Sequence, residues 1–312
     1  MEEILKNRVL ILWPNKNEDW PQIIQQNYNE LVVIDDLYKK TNIFGRIIRK
    51  GLSKLGLSTR AFFGNWYKKR NEFDTIMIHA NEITQTVPNV LRKKKFKGRI
   101  IYWYWDPVAN CVNPKKISRA LCELWSFDFR DSQEYNMRYN STYYFSRISS
   151  KSTKDGKKAF FLGLDKKRFD KLNKLGKVLK SVDIETDFHI IRDKTSMNSS
   201  EYYSSYMNYQ ESLEHIIESK CIVDIVQENQ SGLTLRIMEG LFFGKKIITN
   251  NNNIKKEAFY NDTNFFVIED FERIDSVDLK KFMEKDFLID DSIDKFIQYY
   301  DFSNWLKRFD EI

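Results

Sequence analysis

The sequence predicts an α/β protein with two doubly wound, Rossmann-like domains. The chain has 312 residues, about the length of two ordinary domains. Short runs that are apolar on both faces alternate with helical stretches, as in parallel sheets covered by helices. A polar segment rich in Ser, Lys and Gly, residues 146–158, separates two such series. We therefore predict domains over residues 1–150 and 151–295, followed by a helical C-terminal segment over residues 296–312.

The first predicted domain contains six apolar runs that we interpret as strands. Helical stretches, such as Asn81 to Lys95, fall between them. This alternation predicts a parallel sheet with helices on its faces. The strand candidates are Arg8 to Trp13, Leu31 to Ile34, Thr75 to His79, Arg99 to Trp105, Leu124 to Phe127 and Thr142 to Phe145.

The second predicted domain repeats the pattern. Its candidate elements are strands at 159–164, 187–191, 221–226, 247–249 and 265–270, with helices at 166–180, 206–219, 233–243 and 292–309. The central segment, CIVDIVQENQSGLTLRIMEGLFFGKKIITNN, is a strand–helix–strand unit in which Gly244 stops the helix. Such a unit requires a parallel sheet.

The turn before the central helix is a candidate anion site. Ser231 and Gly232 precede the helix, where free backbone N–H groups and the positive dipole end favour a phosphate. Arg236 and Glu239 lie three residues apart on neighbouring positions of the helix surface. A cation beside a diphosphate and a carboxylate beside a ribose diol would suit a nucleotide sugar. The alternative is an ordinary crossover helix with an exposed Arg–Glu pair.

The segment SGLTLRIMEGLFFGKKIITNN resembles the donor site of GT-B glycosyltransferases, especially those of bacterial capsule, lipopolysaccharide and exopolysaccharide biosynthesis. RIIYWYWDP and LWSFDFRDSQEYN resemble the same family more weakly. The resemblance implies the GT-B fold, in which two Rossmann-like domains face an interdomain cleft and the last helix returns to the N-terminal domain. It implies that Gly232 to Thr234 meet the diphosphate and that Glu239 binds the ribose. The segment has a single glutamate rather than a pair, so inversion or retention stays open.

A second donor-side candidate lies in FFLGLDKKR, residues 160–168. Gly163 ends a strand, where backbone can approach a ligand closely, and Arg168 begins the next helix. Arg168 would bind the diphosphate in a bidentate manner. The alternative is a plain strand–helix turn with surface cations.

Two residues at strand ends are candidates for the catalytic base that inverting transfer needs. Asp106 follows the strand in YWYWDP, and Pro107 holds it extended; it would otherwise cap the next turn. His79 ends TIMIH, and its imidazole would accept the proton equally well. For His79 the alternative is a structural histidine.

No metal and no cofactor are expected. His189 lies within a strand and His215 on a helix face, and three scattered histidines do not predict a metal site. The sequence also lacks the DxD pattern with which GT-A enzymes hold a divalent ion. The three cysteines show no paired spacing, so we expect free thiols in a cytoplasmic protein.

The segment NIFGRIIRKGLSKL, residues 42–55, predicts a helix on an anionic membrane surface. An apolar stripe runs beside four basic residues, Arg46, Arg49, Lys50 and Lys54. The alternative is a helix whose apolar face packs on the core. No run reaches about 18 apolar residues, so we expect peripheral contact with the inner face of the plasma membrane rather than a span.

The net charge of +7 favours anionic partners, and the sequence has no nucleic-acid-binding signature. The resemblance implies a metal-independent hexosyltransferase that moves a sugar from a nucleotide-sugar donor to a lipid-pyrophosphate-linked surface glycan. Two alternatives remain open. One is another GT-B reaction, such as sugar-nucleotide epimerisation or polyol-phosphate transfer; the other is a non-catalytic subunit that binds a nucleotide sugar or a partner.

Overall fold

A computed structural model describes residues 8–151, 156–196, 200–226 and 233–311. The chain forms two compact units. Residues 1–143 together with 303–312 make up the first unit, and residues 144–302 the second. The predicted boundaries stand at 150 and 295. No helix of the described ranges is long and apolar enough to cross a bilayer.

The first unit contains a six-stranded, fully parallel sheet with the order β2-β1-β3-β4-β5-β6. Its strands are β1 (Val9–Trp13), β2 (Val32–Asp36), β3 (Thr75–His79), β4 (Arg99–Tyr104), β5 (Glu123–Ser126) and β6 (Arg138–Tyr139). Its helices are α1 (Asp19–Asn27), α2 (Ile43–Lys54), α3 (Trp66–Lys69), α4 (Val87–Lys93) and α5 (Phe129–Glu134). The central strands β3 and β4 are buried almost throughout, as the apolar runs predict.

The second unit also contains a six-stranded parallel sheet, with the order β12-β11-β10-β7-β8-β9. Its strands are β7 (Lys158–Leu164), β8 (Glu185–Ile191), β9 (Tyr203–Ser204), β10 (Ser219–Asp224), β11 (Lys246–Thr249) and β12 (Phe265–Val267). Its helices are α6 (Phe169–Ser181), α7 (Tyr209–Glu218), α8 (Leu235–Phe242), α9 (Ser276–Glu284) and α10 (Asp291–Tyr300), and α11 (Phe302–Lys307) follows.

Each sheet has one point at which the strand order reverses. In the first unit it lies between β1 and β3, and in the second between β7 and β10. Ligands of doubly wound sheets bind outside the carboxyl ends of the strands at this point. The topology therefore selects one edge of each sheet as the place to look for a site.

The central strand–helix–strand unit agrees closely with the sequence pattern. Thr234 caps α8, because its hydroxyl accepts the Ile237 N–H at 3.3 Å. Gly244 ends the helix region with φ +61°, a left-handed conformation that glycine adopts without strain.

Several sequence predictions differ from the structure; for example, the helix predicted over residues 292–309 is interrupted at Asp301, between α10 and α11. Residues 142–145 are not a strand: Tyr144 makes only an isolated bridge to Asp301, and the aromatic run signals burial instead. The helix predicted from Asn81 begins only at Val87, since Pro88 suits a first helical turn and side-chain bonds of Thr84 hold the preceding turn. Part of the polar segment at 146–158 forms a short 3₁₀ helix, Ser146–Lys151, and residues 152–155 of it lie outside the described ranges.

The last residues of the chain pack within the first unit. Trp305 contacts Trp103 with ring centroids 5.5 Å apart, and Phe309 contacts Trp125 at 4.7 Å. The Trp305 indole N–H donates to the Ser141 carbonyl at 2.8 Å. These aromatic contacts explain why residues 303–312 group with the first unit.

Candidate functional site

The reversal point of the second sheet carries a cluster of charged side chains. Two of them are arginines, Arg168 just before α6 and Arg236 in the first turn of α8. The Asp224 carboxylate ends β10 and is completely buried. This is the edge at which a doubly wound sheet binds its ligand.

Arg168 is held by backbone carbonyls, with only 5% of its surface exposed. Its Nη1 donates to the Ile225 carbonyl at 2.9 Å, its Nε donates to Asp165, and its Nη2 donates to Leu164. Burial and the nearby charge of Arg236 lower its pKa to about 10. The plain surface cation that the sequence left open for Arg168 is therefore not observed.

Arg236 is oriented by Asp224. The Arg236 Nε donates to Asp224 Oδ1 at 3.1 Å, and its Nη1 donates to the Leu162 carbonyl at 3.2 Å. Asp224 also accepts the hydroxyls of Thr234 at 2.8 Å and Thr249 at 3.2 Å. One buried carboxylate thus fixes both the arginine and the start of α8. Sequence reasoning missed Asp224; its only signal is an acidic residue inside the buried run CIVDIV.

Gly163 lies between the two guanidinium groups. A Cβ at this position would lie 3.0 Å from Arg168 Nη2 and 3.5 Å from Arg236 Nη1. Both guanidinium carbons also lie 5.2 Å from the centroid of the Phe161 ring. Two positively charged guanidinium groups therefore lie close together beside Gly163, a residue without a side chain. An anion placed here would relieve their repulsion.

Asp165 holds the turn that follows β7, and sequence reasoning missed it too. Its carboxylate accepts the Tyr203 hydroxyl at 2.6 Å and the Ser196 hydroxyl at 2.8 Å. Burial raises its pKa, but these hydrogen bonds outweigh that effect and leave the pKa lowered. The next two residues, Lys166 and Lys167, have φ of +45° and +64°. This strained turn directly precedes Arg168, and such strain is common at functional sites.

The donor residues predicted between Ser231 and Glu239 fall into three groups: residues outside the described ranges, a residue whose hydroxyl is bound within the protein, and residues on α8. Ser231 and Gly232 lie outside the described residues. The Thr234 hydroxyl is used internally, by α8 and Asp224. Arg236 and Glu239 lie on α8, and the Arg236 charge acts on Glu239. The exposed Arg–Glu pair that the sequence left open is not observed, because Glu239 is only 4% exposed.

Glu239 belongs to a buried polar chain. Burial raises its pKa to about 8, against the opposing effects of the Arg236 charge and a hydrogen bond with Tyr209. The Tyr209 hydroxyl lies 2.5 Å from the Tyr144 hydroxyl. At neutral pH the protonated carboxyl is therefore favoured, and it both donates and accepts hydrogen bonds.

The corresponding edge of the first sheet is aromatic rather than charged. His79 lies at the end of β3, and its ring centroid is 4.2 Å from Trp13 and 5.7 Å from Trp105. Burial lowers the pKa of His79 to about 4. Its imidazole is neutral at pH 7 and a weak base. Trp20 and Tyr143 extend the cluster through Trp105. Sequence reasoning missed this cluster.

Asp106 follows β4, and its side chain is exposed. Among the described residues it does not cap the next turn, because the Val108 N–H there is bound by Asp131 Oδ2 at 2.7 Å. The capping alternative for Asp106 is therefore not observed, and its carboxylate is accessible to a ligand.

The helix α2 exposes its apolar stripe. Ile43, Phe44, Ile47 and Ile48 are between 56% and 75% exposed, and Ser53 is the one residue of α2 that is buried. The core-facing alternative is thus not observed. Arg49 lies over the Tyr38 ring at 4.2 Å, while Arg46, Lys50 and Lys54 flank the stripe.

The histidines are less scattered than the sequence suggests. His189 and His215 both contact the Asp187 carboxylate, at 2.9 and 2.7 Å. The premise of three separate histidines is therefore wrong, because strand β8 and helix α7 bring two of them together.

No protein-family model and no curated protein matches the sequence. Solved structures do match. The apo form of the lipopolysaccharide outer core galactosyltransferase WaaB is similar with a TM-score of 0.53 and 9% identity, over 97% of this chain and 98% of WaaB. Anabaena Alr3699/HepE in complex with UDP matches with a TM-score of 0.52 and 8% identity over the same shares. Sucrose-phosphate synthase from Thermosynechococcus elongatus matches with a TM-score of 0.55 and 7% identity, over 98% of both chains. The chain therefore has the GT-B fold, as the sequence predicts.

Proposed function

We propose that this protein is a glycosyltransferase that takes its sugar from a nucleoside diphosphate donor. The observation that carries the proposal is the pair of guanidinium groups around Gly163, at the reversal point of the second sheet. A diphosphate carries the charge and the oxygens that two arginine forks bind best. The bound UDP of the similar HepE structure and the activity named for WaaB support a donor of this class.

The arginines would act on the departing diphosphate. As the bond between the anomeric carbon and the diphosphate oxygen breaks, negative charge grows on that oxygen. Arg168 and Arg236 are preorganised by carbonyls and by Asp224, so they would stabilise this charge without reorganising. The proposed reaction therefore needs no metal ion, because the two cations supply the electrostatic stabilisation.

Glu239 would bind the ribose of the donor. Its protonated carboxyl can donate to one hydroxyl and accept from the other. Tyr209 would keep the carboxyl oriented when no donor is bound. Gly232 would meet the diphosphate, as the resemblance implies, and Ser231 is the neighbouring candidate that the sequence pattern adds.

For an inverting reaction we assign the base to Asp106 ahead of His79. Asp106 would take the proton of an acceptor hydroxyl as its oxygen forms the bond to the anomeric carbon. The exposed carboxylate is accessible to an acceptor, whereas the His79 imidazole is enclosed by tryptophans and has a pKa of about 4. The half-buried Trp20 and Trp105 of the aromatic cluster offer rings on which the acceptor glycan would pack.

The acceptor we propose is a surface glycan linked to a lipid pyrophosphate. The support is α2, whose exposed apolar stripe and flanking cations suit an anionic bilayer surface. A peripheral enzyme on such a surface would meet lipid-linked acceptors without crossing the membrane.

A thermal-shift panel tests the donor site. UDP, GDP and the corresponding nucleotide sugars would be added, with and without EDTA, to wild type, Arg236→Gln and the control Arg273→Gln. Arg273 is an exposed arginine of the same unit. A nucleotide at 100 times its Kd should stabilise the wild type by about 2.7 kcal/mol. We expect one nucleotide to give an EDTA-insensitive shift that Arg236→Gln loses and Arg273→Gln keeps.

The outcome also separates the competing functions. A Tm that no nucleotide raises would contradict the proposed donor site. Binding without release of nucleoside diphosphate, even with lipid extracts as the acceptor source, would favour a non-catalytic subunit. Conversion of the sugar nucleotide without an acceptor would favour epimerisation. If Asp106→Asn abolishes sugar transfer and leaves nucleotide binding unchanged, the result would support Asp106 as the catalytic base.

A further inference from the structure

Asp187, His189 and His215 form a compact cluster in the second unit. His189 Nε2 lies 2.9 Å from Asp187 Oδ1, and His215 Nδ1 lies 2.7 Å from Asp187 Oδ2. One potential ligand atom from each residue lies within 4.8 Å of the others. None of these residues contributes to the proposed donor site, so the cluster has no role in the chemistry described above.

The fold places the three side chains together. Side chains two residues apart on a strand point to the same face, so Asp187 and His189 share one face of β8. The other face is the apolar one, with Phe188 and Ile190 buried. His215 comes from the last turn of α7.

Aromatic packing fixes the orientation of both imidazoles. The His215 ring stacks on Phe160, with centroids 5.5 Å apart and planes at 15°. The His189 ring lies 6.1 Å from the same phenylalanine and 4.8 Å from His215. Rings held in this way lose little further freedom when they bind a ligand.

The cluster is open to solvent on one side. Asp187 and His189 line a cavity of about 740 Å³. Ser204 lines the same cavity, and its buried Oγ has no hydrogen-bond partner among the described residues. The three cluster side chains are between 17% and 31% exposed. An ion can therefore reach the cluster, and a polar atom without a partner lies at the wall of the same cavity.

We propose that Asp187, His189 and His215 form a binding site for a divalent transition-metal ion of the zinc type. Two imidazole nitrogens and one carboxylate oxygen are ligands that Zn²⁺ prefers, whereas Mg²⁺ and Ca²⁺ prefer oxygen alone. Water from the cavity would take the fourth position. The histidine nitrogens that now face Asp187 would bind the metal in their unprotonated form.

A metal here would join β8 to α7. Because such a link would tether a helix to the sheet, the metal would act first on stability. The site lies outside the chemistry proposed for the donor, although α7 also carries Tyr209, which contacts Glu239.

Metal titration of the untagged, chelator-treated full-length protein tests the site. Calorimetry with Zn²⁺ and the visible spectrum with Co²⁺ would be recorded for wild type, His189→Gln, His215→Gln and Asp187→Asn. The matched control is Asp183→Asn, which removes a carboxylate from the same cavity outside the cluster. Asp183 has φ +62°, a conformation that asparagine tolerates.

We expect one ion per chain, a rise in Tm with Zn²⁺ but not with Mg²⁺, and Co²⁺ bands typical of four-coordinate geometry. Each cluster variant should weaken binding by about tenfold or more, since even residues behind the ligands contribute that much. Asp183→Asn should bind like wild type.

Two results would overturn the proposal. One is a wild-type protein that binds no Zn²⁺, which would leave the cluster as a hydrogen-bonded trio. The other is equal binding by wild type and the histidine variants, which would place the ion elsewhere. Should a variant fail to fold by circular dichroism, the wild-type Co²⁺ spectrum still decides, because six-coordinate bands or an unchanged spectrum count against imidazole ligation.

Discussion

The two sheets reverse their strand order in the same way, yet the two reversal points carry opposite chemistry. In the second unit this edge gathers Arg168, Arg236 and Asp224, all held by hydrogen bonds. In the first unit it gathers His79, Trp13 and Trp105, held by ring contacts. The common topology decides where a ligand binds. The side chains decide which ligand: an anion at the charged edge and an apolar or sugar surface at the aromatic one.

The largest predicted effect concerns Asp224, on which the charged edge depends. Asp224→Asn should lower the free energy of unfolding by about 3–5 kcal/mol, because it leaves a partly buried arginine without its partner charge. Urea denaturation measures this. The control Asp270→Asn breaks an exposed ion pair with Arg273 and should change stability by less than about 0.5 kcal/mol. Equal effects of the two substitutions would mean that Asp224 does not organise the edge.

A pH-dependent effect is predicted for Glu239. Its pKa of about 8 in the folded protein lies above its value of about 4.3 in an unfolded chain. The folded state then binds the proton more tightly, so this group's contribution to stability is complete below about pH 4.3. The contribution falls as the pH rises through the window up to about pH 8, and is constant above it.

Glu239→Gln should remove that dependence. Relative to wild type, the variant should gain stability between pH 5 and pH 8, by an amount on the order of 3–4 kcal/mol. Urea denaturation across this range measures the difference. Glu284→Gln, at an exposed position on α9, is the matched control and should show no such trend. A flat difference for Glu239→Gln would show that the carboxyl is already ionised in the folded protein.

The sequence predicted the strands that are buried on both faces, because a short, continuous apolar run between turns is typical of a strand covered by helices on both sides. It missed β6 and β9, since two residues carry no periodic signal. It also found the residues of the charged edge only in part. The Arg236 contact with the Leu162 carbonyl joins positions 74 residues apart, and no local pattern encodes it. The pairing of His189 and His215 around Asp187 was missed for the same reason, because strand and helix must first pack together.

A smaller effect is predicted for the backbone between the two arginines. Gly163→Ala would place a methyl group 3.0 Å from Arg168 Nη2, so the guanidinium must shift by a few tenths of an ångström. We expect nucleotide binding about tenfold weaker, equivalent to about 1.4 kcal/mol, with a small change in stability. Calorimetric titration with the nucleotide measures the affinity.

Gly51→Ala is the matched control for this substitution. Gly51 lies inside α2, and among the described residues no atom beyond its chain neighbours and its own helix backbone lies within 4 Å of an added Cβ. It should stabilise the protein by up to about 1 kcal/mol through helix propensity and leave nucleotide affinity unchanged. Unchanged affinity in Gly163→Ala as well would mean that the ligand does not contact this backbone.

The smallest effect on stability is predicted for α2. Here two helices are compared, one with a buried apolar face and one with an exposed apolar face. Helix α10 buries Ile293 and Phe296, whereas α2 exposes Phe44 and Ile47. Truncating Phe44 and Ile47 to alanine should therefore change the free energy of unfolding by less than about 0.5 kcal/mol each. Binding to vesicles that contain anionic lipid should nevertheless fall about fivefold per residue, because each side chain would bury apolar surface worth about 1 kcal/mol in the bilayer.

Vesicle cosedimentation at several salt concentrations distinguishes this interpretation from a protein-binding surface. Val277→Ala is the control, since Val277 is 59% exposed on α9 of the other unit. Val277→Ala should sediment with vesicles like wild type. Binding that increases with anionic lipid and weakens with salt would support contact through the flanking cations. Sedimentation that does not depend on lipid charge, or that is the same for the alanine variants, would indicate that the stripe binds a protein partner. Either result would remove the main support for a lipid-linked acceptor.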